Sequence, residues 1–182
     1  MVRAVAVALV LSATACGGGS STPNASGPSP SPSITVPGLI SSTGAVPADY
    51  LTQVDATCAA SLAQLRERGP VPLGPTDARH LTAKQLRGAA AFLQRGADIQ
   101  KAAAAAVGSF APPPVGADQW AVYRTAVAQF AAGMQDEATA AKAGAVARFL
   151  AAAQRLLGLH TRALDSGLVV GLGAGTACAR LF

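Results

Sequence analysis

Aromatic side chains make up only 4% of this 182-residue chain and charged ones 13%, with two histidines and three cysteines in all. Each scarcity narrows the reading. With one Trp, two Tyr and five Phe, the apolar half of the composition is carried by alanine, leucine and valine, a mixture that favours helices over sheets. The two histidines, His80 and His160, stand in no metal-binding spacing with cysteines or carboxylates, so no metal or other cofactor is expected. Glu67 and Glu137 are the only glutamates and fall in separate helices, which leaves paired-carboxylate catalysis without a basis. His160, Asp165 and Ser109 can be drawn as a hydrolytic triad, but no serine sits in a nucleophile elbow. The chain reads as a non-enzyme.

Long apolar runs are also lacking. Ala4 to Leu11 (AVAVALVL) is too short to span a bilayer, and Arg3 precedes it while the small residues Ser12 to Ala15 follow it. Residues 1–15 therefore read as a signal peptide. The small residues run directly into Cys16 and then Gly17, Gly18 and Gly19. This arrangement resembles the bacterial lipobox, with Ala13 standing where leucine is commonest. The resemblance implies that Cys16 is lipidated and becomes the first residue of a protein held on the extracytoplasmic face of the cell membrane. The formal charge of +5 falls to +4 once Arg3 is removed, leaving 13 basic against 9 acidic side chains. Those cations are scattered singly, so no nucleic-acid partner is expected.

Residues 16–46 supply a Gly/Ser/Pro-rich linker, in which Pro28, Pro30 and Pro32 alternate with serine and stiffen the chain toward polyproline II. The linker is expected to be disordered. Gly38 to Val46 reads either as more linker or as chain laid against the domain.

Residues 47–182 carry four helical patterns. The first begins at Pro47 and stops before Gly69 and Pro70, with Leu51, Val54, Cys58, Leu62 and Leu65 on one face. The second opens with Thr82 and Gln85 as a capping box and Leu81 as a staple onto Leu86. It continues through Ala89, Leu93 and Ala97 to about Val107, with Gly108 and Pro112 to Pro114 beyond. The third opens at Asp118 and sets Trp120, Tyr123, Val127, Phe130 and Met134 at helical spacing, a stripe more suited to filling a core than to holding a ligand. Gly144 separates it from the fourth. There Val146, Phe149, Leu150, Ala153, Leu156, Leu157 and Leu164 line one side until Gly167 supplies a stop. The expected fold is all-α, an up-down four-helix bundle.

With Cys16 assigned to lipid, Cys58 and Cys178 remain as an even pair in an exported domain, and a disulfide between them is expected, two free buried thiols being the alternative. The string VVGLGAGTA before Cys178 lacks the GxGxxG spacing of a nucleotide-binding turn and reads as a flexible tail. The segment YLTQVDATCAASLAQL, the alanine-rich helices, the proline break after the second helix and the Gly-Leu stretch ahead of a C-terminal cysteine resemble a group of small, uncharacterised actinobacterial lipoproteins and secreted helical proteins. That resemblance implies location, a helical bundle and a disulfide, with no chemistry attached. The expected function is a membrane-anchored binding or accessory protein of the cell envelope, whose partner is an unknown envelope protein. The alternative is a carrier or sensor holding an apolar ligand inside the bundle, in the space that alanine side chains leave between helices.

Overall fold

A computed structural model describes residues 45–73 and 80–182. The expected signal segment 1–15, Cys16 and the linker through residue 44 lie outside the described residues. The rest is all-α: α1 (Ala48–Glu67), α2 (Ala83–Ser109), α3 (Ala117–Ala143), α4 (Val146–Val170) and a short α5 (Ala177–Leu181). The first four form the up-down bundle that the periodicity predicts, with α3 packed extensively on both α2 and α4.

Local signals place most boundaries. The Thr82 hydroxyl accepts from the Gln85 backbone N–H, and the Gln85 side chain accepts in turn from the Thr82 N–H at 2.9 Å, so the capping box forms as read. Pro47 is the cap of α1 rather than its first residue, and Val46, assigned above to the linker, is buried in the core. Gly108 stays inside α2, which runs on to Ser109 before the prolines stop it.

Two helix ends need correction. α3 is capped by Gly116 in the left-handed region (φ 77°), and Asp118 lies in its first turn. There its carboxylate faces the positive end of the helix dipole. α4 passes through Gly167 and ends at Gly171 (φ 99°), where the Leu172 N–H donates to Gly167 O at 2.8 Å and the Gly171 N–H to Leu168 O. This is a Schellman ending, which needs a left-handed residue at the turn, and buried Leu172 supplies the apolar contact that accompanies it. Gly167 instead sits buried where α4 crosses the Tyr123 ring; a Cβ there would lie 3.4 Å from Tyr123 Cε2.

The expected flexible tail is ordered. Thr176 caps α5 by accepting from the Ala179 N–H, and the Cys178 N–H donates to Asp55 Oδ1 of α1 at 2.9 Å. Gln100 of α2 donates from Nε2 to Leu181 O, and His160 of α4 hydrogen-bonds Phe182 O. Three long helices thus hold this five-residue one, with Leu181 and Phe182 buried.

Two buried clusters make up the core. One gathers Val54, Cys58, Leu62, Trp120, Tyr123, Val127, Phe130, Leu156, Cys178 and Phe182 around α1 and α5. The other, between the first half of α2, the end of α3 and the start of α4, contains Leu86, Leu93 and Phe149 among five alanines. Between the two, Gln94 and Asp98 of α2 meet Gln135 of α3: the Gln94 amide donates to Asp98 Oδ1 and to Gln135 Oε1, and the Gln135 amide donates to Asp98 Oδ1. Those hydrogen bonds hold the Asp98 carboxyl below its usual range.

Candidate functional site

Cys58 projects from the buried face of α1 and Cys178 from α5, and the two form a disulfide with their Cα atoms 4.9 Å apart. Both are fully enclosed. The bridge ties the first helix to the last across 120 positions of sequence. Cys16, the expected lipidation site, lies outside the described residues.

The candidate triad does not assemble. Ser109 donates to Ala106 O within its own helix, while His160 uses Nδ1 on Phe182 O and lays its ring 5.9 Å from that of Phe130. No three His, Cys, Asp or Glu side chains among the described residues gather where they could hold a metal ion. The aromatic stripe of α3 fills the core as read: Trp120, Tyr123, Val127 and Phe130 are buried, Met134 is half-buried, and Tyr50 stacks edge-on to Trp120 at 5.2 Å between centroids. Trp120 Nε1 and the Tyr123 hydroxyl are buried without a hydrogen-bond partner. Burial, and secondarily the charge of Asp55, pushes the Tyr123 phenol well above its ordinary range.

Two polar groups that the sequence did not mark stand in unusual surroundings. Arg68 follows the last turn of α1 and lays its guanidinium over the Phe92 ring at 4.1 Å, a cation–π contact. It can do so because residue 96 is glycine: a Cβ there would fall 1.9 Å from Nη1. Nε and Nη1 of Arg68 are buried without partners, and burial, followed by the nearby charge of Arg95, lowers its pKa. Glu137 of α3 is buried as well, one turn beyond Gly133, which lies against Leu156 and Leu159 of α4. Desolvation alone pushes its carboxyl up to about 7. Neither group was legible, because burial of a lone charged residue depends on which neighbours the fold brings over it.

Among the described residues, a groove of about 580 Å³ lies between α3 and α4. Ala121, Val122, Thr125, Ala126 and Gln129 line one flank, and Arg162, Asp165, Ser166 and Val169 the other. Val122, Leu168 and Val169 are 62%, 58% and 70% exposed, an apolar surface that the bundle leaves uncovered. Leu157, expected in the core, is also exposed, because the buried face of α4 runs through Phe149, Ala152, Leu156, Ala163 and Gly167. By contrast, the void enclosed by Tyr123, Ala163, Gly167, Leu172, Cys178 and Phe182 is too small to admit a water molecule. No family model, no curated protein and no solved structure matches this chain.

Proposed function

We propose that the chain is a non-enzymatic lipoprotein of the cell envelope, anchored to the extracytoplasmic face of the membrane through Cys16 and presenting its bundle on the linker that follows to another envelope component. The observation that carries this reading is the Cys58–Cys178 disulfide. A disulfide in the core of a small domain suits an oxidising compartment. It also occupies two of the three cysteines, so that the third, Cys16, is the one set between a signal-like segment and a glycine-rich leader. Acyl chains contribute about 0.8 kcal/mol per buried methylene, so two or three of them hold a protein firmly on a bilayer.

An apolar ligand inside the bundle is the weaker reading, since the enclosed void next to Tyr123 does not hold even water. The α3–α4 groove offers a surface for contact instead. Growing cells with labelled fatty acid tests the anchor: the wild-type chain takes up label and sediments with membranes, while a Cys16→Ser variant takes up none and is released. Equal labelling of both chains would overturn the proposal.

A further inference from the structure

Gly158 is exposed near the middle of α4, and a Cβ built on it would meet nothing within 4 Å. Glycine inside a helix costs about 1 kcal/mol relative to alanine, and nothing in the single chain requires that cost here. With no Cβ, Gly158 leaves the α4 backbone open to close approach by a partner side chain, as Gly88 does on α2. Gly158 recurs with Arg162, Asp165 and Val169 at spacings of four, three and four, so the four share one exposed stripe of α4, and the last three line the α3–α4 groove. Neither Arg162 nor Asp165 has an ion-pair partner among the described residues, although they are neighbours on the helix.

This stripe is complementary to itself. When two copies of α4 lie antiparallel about a two-fold axis midway between positions 162 and 165, Arg162 of each faces Asp165 of the other. The same register sets Val169 of each over Gly158 of the other. An isologous contact has this property, in which residue i meets j and j meets i. We propose that the α3–α4 face is a homodimer surface whose occupant is a second copy of this chain, paired through α4 in that register. Exposed Val122, on the opposite flank of the groove, then closes over the partner helix. The proposal does not depend on the lipid anchor.

Sedimentation equilibrium of the full chain in a density-matched detergent, over a concentration series, tests it. The wild type is expected to show a reversible monomer–dimer equilibrium. Arg162→Asp alone or Asp165→Arg alone sets like charges opposite each other twice and weakens dimerisation about tenfold or more, whereas the double exchange restores it. Gly158→Leu abolishes the dimer without lowering the monomer's helix content by circular dichroism, since leucine is the better helix former. A chain that stays monomeric at every concentration overturns the proposal. So does a dimer indifferent to both single charge variants and to Gly158→Leu, or one that the double exchange fails to restore. Binding of phosphatidylglycerol vesicles that is lost with Val122→Asp, in a chain that never dimerises, overturns it in favour of a lipid surface.

Discussion

The two ends of this bundle are held together by different means. Around α1 and α5, large side chains do the work: Trp120, Tyr123, Phe130 and Phe182 are buried with the disulfide, and Tyr50 and Phe110 pack at the margin. At the other end, α2, α3 and α4 meet through Ala89, Ala97, Ala138, Ala140 and Ala141, with Leu86, Leu93 and Phe149 as the large buried members among the described residues. Small residues let helix axes approach closely, so that backbone contact replaces side-chain volume. Aromatic rings, which bury about 150–250 Å² each, supply most of the volume around α1 and α5.

The largest expected effect falls on the aromatic end. Trp120→Ala removes a fully enclosed ring and leaves a cavity, costing about 3–5 kcal/mol, read as a drop in the urea midpoint. Removing the bridge by Cys58→Ser with Cys178→Ser costs about 2–5 kcal/mol. Hydrogen exchange then localises the loss, with amides of α5 and the middle of α1 exchanging first while those of α2 near Leu86 keep their protection. Uniform acceleration throughout would erase the distinction between the two ends.

The alanine-rich end responds to pH instead. The Glu137 carboxyl titrates at about 7 in the folded chain against an ordinary 4.5, so between those values the unfolded chain has already lost a proton that the folded one retains. Stability is therefore full below about pH 4.5, declines as pH rises to about 7, and stays reduced above it, by about 3 kcal/mol at most. Glu137→Gln is expected to flatten that profile and raise the urea midpoint above pH 7; an unchanged profile would show that the carboxylate is solvated. The smallest effect is Thr82→Ala, which takes away the cap of α2 and costs about 1 kcal/mol, measured as a modest drop in Tm.

What the sequence revealed was local or periodic. The Thr82–Gln85 capping box, the aromatic stripe of α3 and the Gly144 break all depend on residues whose chemistry is fixed by their neighbours in the chain, while the Cys58–Cys178 pairing, across 120 positions, was expected only from the count of cysteines. What it hid was decided by tertiary contact. Gly167 reads as the stop of α4 on paper, but it packs against Tyr123 inside the helix, and the Schellman bonds place the stop at Gly171. α5 is too short to persist alone and exists because Asp55, Cys58, Gln100 and His160 receive it. Leu157 looks like core in a list of apolar positions, yet the face of α4 that meets α3 turns it outward. In the candidate site, the spacing of Arg162, Asp165 and Val169 was visible, but that this face of α4 stays uncovered beside α3 was not.

The proposed anchor at Cys16 and the Cys58–Cys178 bridge together use all three cysteines. Intact-mass spectrometry of unreduced protein extracted from membranes, unfolded in denaturant and treated there with an alkylating reagent, tests both assignments in one spectrum. The expected mass is that of a chain beginning at Cys16, heavier by a diacylglyceryl group with or without a further acyl chain, and carrying no alkyl label. A mass that lacks the lipid, or that gains two alkyl groups at Cys58 and Cys178, would contradict it.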